Sequence, residues 1–156
     1  MTALYQSLMN TPIGSICILA DETAIIAVTF TEQHLERPEN ALTREAQAQL
    51  AAYFSGQRQQ FNLPLAPLGT DFQHQAWKAL QRIPYGETRY YAQQALQIQR
   101  PTAVRAVGAA NGANPIAIIV PCHRVIGKNG ALTGYAGGLT RKQWLLAFER
   151  KQIGSE

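Results

Sequence analysis

The sequence predicts two small domains, an α/β N-terminal domain followed by a mostly α-helical C-terminal domain. Two apolar runs rich in β-branched residues, at 15–20 and 23–30, predict a β-hairpin in the first domain. After residue 70, by contrast, apolar residues recur mostly at helical spacing. A proline- and glycine-rich segment separates these parts, so we assign 1–64 to the first domain, 65–69 to a linker and 70–156 to the second.

The first domain is predicted to contain a turn, the hairpin and one helix. The residues Thr11–Gly14 have the composition of a tight turn. Cys17 lies within the first apolar run and is assigned to the core. Residues 31–42 are polar and are predicted to be a loop, and a helix is predicted over Thr43–Phe54, where apolar residues recur every three or four positions.

The second domain is predicted to contain four helices, each with a recognisable start signal. The signals are Thr70 with Gln73, Thr88, Pro101, and Thr140 with Gln143. The second and third of these helices are short and are joined by a tight turn, which predicts a helix-turn-helix. The third helix is expected to stop at Asn111–Gly112.

The outer face of the third helix is unusual for a helix that reads the major groove. Its outward residues are predicted to be Thr102, Arg105, Ala106 and Ala109, which offer few groups for bidentate base contacts. Small residues allow the helix backbone to approach a narrow groove closely. Arg105 is either an ordinary solvated residue or a finger that projects from this face.

The second part of the chain is basic. Residues 65–156 carry eleven Lys and Arg against four Asp and Glu, which favours a polyanionic partner.

The stretch Ile116–Ile126 brings a cysteine, a histidine and an arginine to the end of an apolar run. Ile116–Val120 is predicted to be a buried strand that Pro121 terminates. Cys122 would then lie where a rigid element ends, although a lone cysteine is more often a small buried hydrophobe than a nucleophile. Glu149 borders the apolar face of the last helix and therefore needs a partner.

The composition excludes several classes of protein. Two cysteines cannot form a disulfide framework, and no cluster of Cys and His has zinc-site spacing, so we expect no metal and no cofactor. Neither a signal peptide nor an apolar run of ~20 residues is present. We expect a soluble, cytoplasmic protein.

Several motifs in the second domain carry a resemblance to a known family. The run Pro121–Val125, with its Cys-His-Arg core, resembles the active-site signature of the methylated-DNA–protein-cysteine methyltransferases, the 6-O-methylguanine-DNA repair proteins. The other motifs occur in the same order and spacing as in that family: Ile83–Thr88, Arg105–Ala110, Asn114–Pro115, Gly134–Gly138, and Trp144–Leu146 with Glu149. The resemblance is strong over about residues 70–150 and loose over 1–64.

The resemblance implies a ribonuclease-H-like N-terminal domain and a winged-helix-like C-terminal domain that binds the minor groove of double-stranded DNA as a monomer. The resemblance implies that the alkylated nucleotide, 6-O-methylguanine or 4-O-methylthymine, is flipped out of the duplex. The alkyl group is then transferred irreversibly to a cysteine, so that each protein molecule reacts once.

The resemblance also implies a role for individual residues. Cys122 would be the alkyl acceptor, His123 a base acting through a water, and Glu149 the carboxylate that orients His123. Asn114 would brace the bend beside the cysteine, and Tyr91 would contact the base and the adjacent phosphate.

The remaining implied residues form a DNA-binding set and a base pocket. The DNA-binding set is Arg105, Thr102, Arg89, Tyr90, Ala106, Ala109 and Lys128, with Arg105 filling the gap left by the flipped base. The base pocket is Tyr91, Val125, Tyr135, Ala136 and Gly137, in which the Val125 carbonyl would accept from the exocyclic amine of guanine.

Elementary geometry agrees with a water-relayed base. Neighbouring residues in regular structure do not share a face, so His123 is poorly placed to touch the sulfur of Cys122 directly.

Three alternatives remain open: a non-catalytic binder of alkylated DNA, a Cys/His/Glu hydrolase, and a transcription factor. The presence of Cys122 argues against a non-catalytic binder. A hydrolase would release product repeatedly, whereas an alkyl acceptor stops after one event. The small residues on the outer face of the third helix argue against a sequence-specific transcription factor.

Overall fold

The computed structural model describes residues 2–33 and 36–154. The chain divides into two compact units, the first comprising 1–68 with 115–117 and the second 69–114 with 118–156. No helix within the described ranges is long and apolar enough to cross a membrane.

The first unit is built on a three-stranded antiparallel sheet. Its strands are β1 (Tyr5–Thr11), β2 (Gly14–Ala20) and β3 (Ile25–Phe30), in the order β1-β2-β3. The predicted hairpin of β2 and β3 is confirmed, and so is the turn at Thr11–Gly14, where Gly14 has a φ of 116°. β1 was not predicted, because its residues YQSLMNT mix polar and apolar side chains and carry a weak strand signal.

Helix α1 (Ala41–Phe54) confirms the predicted helix of the first unit. Asn40 is its N-cap, and its side chain accepts a hydrogen bond from the Thr43 backbone N–H at 2.8 Å. The helix buries Ala46, Leu50 and Tyr53 completely, as their spacing predicted.

Two further segments extend the pairing of β3. Ile25 forms a parallel bridge with Leu65, and Val28 forms one with Ile116. The strand predicted over Ile116–Val120 is wrong, since only Ile116 pairs and Ile118 adopts a φ of 71° that breaks the extended backbone. These residues are apolar because they are buried, and burial alone produces the same sequence signature as a strand.

The second unit contains four helices and a two-stranded parallel sheet. The elements are α2 (Asp71–Gln81), β4 (Arg89–Tyr90), α3 (Tyr91–Gln97), α4 (Val104–Gly112), β5 (Val125–Ile126) and α5 (Leu139–Gly154). The capping box of Thr70 and Gln73 is confirmed at the start of α2.

Three other predicted helix starts are wrong. Thr88 precedes β4, so α3 begins only at Tyr91. Pro101 lies in a turn before α4, and Thr140 lies inside α5 rather than capping it. At Thr88 and Pro101 the neighbouring chain has another role, pairing in β4 or turning between helices, which overrides the local start signal. At Thr140 the helix begins one residue earlier, at Leu139.

Buried polar side chains hold α2, α3 and α4 together. Trp77 donates its indole N–H to the Ala110 carbonyl at 2.8 Å. Gln94 and Asn111 exchange two amide hydrogen bonds of 2.9 and 2.7 Å, and Gln94 also donates to the Ala76 carbonyl at 3.1 Å. This fully bonded network fixes the geometry of the helix-turn-helix.

Replacing Asn111 with Ala should destabilise the protein measurably. The substitution leaves the buried Gln94 amide without two of its partners, which costs about 1–3 kcal/mol of unfolding free energy. Urea denaturation measures this loss, and the exposed Gln97→Ala on the same helix-turn-helix is the control. Equal stability of the two variants would contradict the assignment.

Candidate active site around Cys122

A sharp double turn positions Cys122. Pro121 has φ −83° and ψ 65°, and the Cys122 N–H donates to the Val120 carbonyl at 2.8 Å, which defines an inverse γ-turn. A 3-10 turn over Cys122–Arg124 follows at once. Pro121 therefore positions the cysteine within a turn, rather than at the end of the strand that the sequence predicted.

Asn114 braces this turn from the side. Its side-chain amide donates to the Val120 carbonyl at 2.8 Å and reaches the Cys122 sulfur at 3.3 Å. The same amide thus holds the backbone bend and supplies a hydrogen-bond donor to the sulfur.

His123 and Glu149 form a buried pair, which gives Glu149 the partner that its position in the sequence required. The His123 Nε2 lies 2.7 Å from the Glu149 Oε2, and both side chains are almost inaccessible to solvent. The His123 Nδ1 is buried and makes no hydrogen bond to the residues that the structure describes. With Nε2–H directed at Glu149, Nδ1 is the nitrogen that can accept a proton.

Arg124 completes the pair, and the sequence did not reveal its role. Its Nε donates to Glu149 Oε1 at 2.8 Å and its Nη2 to Oε2 at 3.0 Å, a bidentate arrangement. Its Nη1 donates to the Ile83 carbonyl at 2.8 Å, and the Gly86 N–H donates to Glu149 at 3.3 Å. The available signal was the position of Arg124 in an apolar run, where a charged residue needs a buried partner.

The protonation states of the site follow from burial and charge. Burial raises the pKa of the Cys122 thiol, against the opposing effects of the Asn114 hydrogen bond and the Lys142 charge. Burial lowers the pKa of His123, while Glu149 opposes that effect. Burial alone would raise the pKa of Glu149, but its interactions with His123 and Arg124 together hold it below its usual value. The site therefore contains a neutral thiol, a neutral imidazole and an ionised carboxylate.

Lys142 is a second buried charge that the sequence did not reveal. Its ammonium donates to the Thr133 carbonyl at 2.7 Å and lies 5.8 Å from the centre of the Tyr91 ring. The Tyr91 hydroxyl also donates to the Thr133 carbonyl, at 3.1 Å. Burial lowers the pKa of Lys142 to about 8. Its spacing from Leu145 and Glu149 puts all three on one face of α5, which was the available signal.

The residues predicted for the base pocket have different environments. Val125 is fully buried in β5, and Tyr135 has a buried hydroxyl with no hydrogen-bond partner among the described residues. Ala136 is exposed, and the Gly137 carbonyl accepts from Arg141 at 3.0 Å. Tyr91 contacts this loop through Thr133.

The residues predicted to bind DNA are exposed or half-buried. The outward face of α4 is as expected, with Arg105, Ala106 and Ala109 exposed. Thr102 precedes that helix and Lys128 lies in a turn after β5, and both are exposed. Tyr90 is 39% exposed, whereas Arg89 is half-buried and forms an ion pair with Glu87 at 3.1 Å.

Within 2–33 and 36–154, no group of three or more His, Cys, Asp or Glu could hold a metal ion.

Comparison with known proteins places both units in one family. The family model described as the 6-O-methylguanine DNA methyltransferase ribonuclease-like domain matches residues 4–67, and the model of the DNA binding domain of the same enzymes matches residues 71–151. A relative from Methanosarcina barkeri, named methylated-DNA–protein-cysteine methyltransferase, is 48% identical and aligns over 96% of this chain and 99% of its own. The constitutive enzyme of that name from Bacillus subtilis is 46% identical over 94% of this chain and 95% of its own.

A solved structure extends the similarity to three dimensions. The crystal structure of Mycobacterium tuberculosis O6-methylguanine methyltransferase has a TM-score of 0.88 and 46% identity, covering 96% of this chain and 94% of that one. The same Mycobacterium tuberculosis protein has also been solved in complex with DNA. The resemblance carried by the motifs around Cys122 thus extends over nearly the whole chain, which belongs to the 6-O-methylguanine DNA methyltransferase family.

Proposed function

We propose that this protein repairs DNA directly, by moving the methyl group of 6-O-methylguanine onto Cys122. The observation that carries the proposal is the buried sulfur of Cys122, held by Asn114 beside the His123–Glu149 pair. The curated relatives are named for this reaction. 4-O-methylthymine presents the same kind of methoxy group and is a second substrate.

The reaction is a single displacement at the methyl carbon. The Cys122 sulfur forms the new S–C bond as the C–O bond breaks, and the electron pair of that bond leaves with the guanine oxygen. The thiol proton passes to His123, and a proton donor such as Tyr91 assists the departing base. The product on the protein is a thioether, so each molecule reacts once.

His123 acts as the base through a water. The 2.7 Å contact with Glu149 fixes the tautomer and leaves the buried Nδ1 as the acceptor. Because Cys122 and His123 are adjacent in a 3-10 turn, a bridging water provides the path for the proton at little energetic cost. Glu149 stabilises the imidazolium that forms.

Lys142 supports the thiolate and the loop that encloses the base. Its charge favours the ionised form of Cys122, and its hydrogen bond to Thr133 holds the loop preceding Tyr135. The base pocket is formed by Tyr91, Val125, Tyr135, Ala136 and Gly137. The Tyr135 hydroxyl, which is buried and has no hydrogen-bond partner within 2–33 and 36–154, supports a polar ligand in this region.

Double-stranded DNA binds along the exposed face of α4. Its small residues suit the minor groove, and Arg105 occupies the space of the flipped base. Thr102, Arg89, Tyr90 and Lys128 contact the backbone, which gives affinity with little sequence preference. The DNA complex of the Mycobacterium tuberculosis relative supports this partner.

The sheet of the first unit with α1 supports a ribonuclease-H-like domain, and the β4–β5 pair beside the helix-turn-helix supports a winged-helix-like domain. The proposed domains are 1–64 and 70–156, joined by 65–69, except that residues 115–117 belong to the first unit. The protein acts as a monomer in the cytoplasm.

Incubation with duplex DNA containing 6-O-methylguanine should add one methyl group to Cys122. Intact-mass and peptide analysis measure the addition, and Cys122→Ser should remain unmodified, whereas Cys17→Ser serves as the control that still reacts. Repeated release of product without modification would indicate a hydrolase instead. An unmodified protein under saturating DNA would rule out methyl transfer.

Replacing Arg105 with Ala should slow methyl transfer from duplex DNA by about tenfold or more, since the side chain offsets part of an unstacking cost of a few kcal/mol. Transfer from a single-stranded oligonucleotide should change little, because no base pair has to be opened. Single-turnover rates on the two substrates measure the difference, with the exposed Arg150→Ala on α5 as the control. An equal loss on both substrates would contradict a role in flipping.

The rate of methyl transfer should fall as the pH rises above about 8. Lys142 has a pKa of about 8, so it is charged below that pH and stops favouring the thiolate above it. Lys142→Arg keeps a charge at all these pH values and should shift the decline to higher pH. Single-turnover rates between pH 6.5 and 9.5 test this, with the exposed Lys151→Arg as the control. The same decline in Lys142→Arg would assign it to another group.

A further inference from the structure

Arg124 is a fully engaged buried cation beside the proton-accepting histidine. It makes a bidentate pair with Glu149, at 2.8 and 3.0 Å, and a third hydrogen bond to the Ile83 carbonyl at 2.8 Å. Its guanidinium also lies 5.5 Å from the centre of the Tyr85 ring. A side chain held at so many points has one orientation relative to Glu149.

The Glu149 carboxylate thus contacts two potential cations but carries only one negative charge. The Arg124 guanidinium bonds both oxygens of the carboxylate, so it already balances that charge. His123 contacts the same oxygen, Oε2, at 2.7 Å, and can do so as a neutral ring that donates Nε2–H. A second positive charge on His123 would be buried without compensation.

We propose that Arg124 is a positioning residue that keeps His123 neutral until the thiol proton arrives. The inference rests on the proposed function, in which Nδ1 of His123 receives that proton. Without the guanidinium, Glu149 would be a buried anion whose nearest cation is an imidazolium. His123 would then take up a second proton at a higher pH than in the wild type, and a ring that carries both protons has no free site for the proton of Cys122.

The other ionisable groups near the His123–Glu149 pair do not replace Arg124. They are Lys142 on α5, Cys122 in the same turn, Tyr85 after α2, and Tyr135 in the following loop. Lys142 is a cation, but its hydrogen bond goes to the Thr133 carbonyl rather than to Glu149. Burial raises the pKa of both tyrosines, so they stay neutral near pH 7.

The effect of Arg124 on the pKa of His123 agrees with this role. Burial lowers it and Glu149 raises it, while the charges of Arg124 and Lys142 lower it further. A lower pKa keeps the ring neutral down to a more acidic pH, and removal of Arg124 raises it. The acid limit of methyl transfer should therefore move to higher pH when Arg124 loses its charge.

The pH dependence of single-turnover methyl transfer tests this directly. In Arg124→Met the apparent pKa of the acid limb should rise by roughly 1 unit or more, as expected when a neighbouring charge is removed. In Arg124→Lys the apparent pKa of the acid limb should return to its wild-type value, because the charge is kept. The rate should be lower, because the bidentate geometry is lost. A uniform loss of rate at every pH, with an unchanged limb, would mean that Arg124 is only structural. Circular dichroism establishes that each variant is folded.

A second measurement uses the unmodified protein and does not depend on methyl transfer. Nitrogen-15 spectra of labelled wild-type protein, assigned with the variant His123→Gln, report the protonation of the ring. We expect a neutral ring with its proton on Nε2 at pH 7, and an imidazolium at that pH would overturn the inference even if Arg124→Met fails to fold. If the ring is neutral but no methyl group reaches Cys122, the proposed function fails, and the same spectra of Arg124→Met then test the role of Arg124 by themselves, since the inference requires the ring to become protonated at a higher pH in that variant.

Discussion

The rest of the site depends on the hydrogen bonds of the buried Glu149 carboxylate. It joins α5 to the turn of Cys122–Arg124 through His123 and Arg124, and to the loop after α2 through the Gly86 N–H. Four hydrogen bonds satisfy its two oxygens, so its charge is stable although the carboxylate is buried. One helix, one turn and one loop thereby acquire a fixed geometry around the sulfur.

The backbone around Cys122 has a complementary role. The inverse γ-turn at Pro121 and the 3-10 turn after it reverse the chain within four residues. Such tight turns place adjacent side chains in different directions, so that His123 reaches Glu149 while Cys122 reaches Asn114. Each of the two side chains therefore has its own partner, and the proposed transfer of a proton between them through a water is consistent with this separation.

The elements that could be predicted from the sequence are those with strong local signals. The β2–β3 hairpin, α1 and the capped start of α2 depend on turn residues, periodicity and a capping box, all of which act within a few residues. Ile116–Val120 could not be predicted correctly, because buried turns and buried strands share the same apolar composition. Cys122 and His123 were visible as a motif, but Arg124 and Lys142 were not assigned roles. Charged residues are usually exposed, and only the folded chain brings Glu149 and Thr133 to them.

Burial of Cys122 favours the protonated thiol, whereas its reaction requires the thiolate. Burial keeps the thiol protonated, which protects it from oxidation but removes the thiolate that attacks the methyl group. A protein that reacts once gains from this arrangement, because a permanently ionised sulfur would be lost to side reactions before it met a lesion. The proposed chemistry then requires a neutral acceptor close by and a cation that stabilises the thiolate once it forms. His123, kept neutral beside the Glu149–Arg124 pair, and Lys142, held by the Thr133 carbonyl, meet these two requirements with separate residues. In the proposed chemistry, the resting site and the reactive site can therefore have the same arrangement of residues. They differ in the position of one proton, which moves from Cys122 to His123.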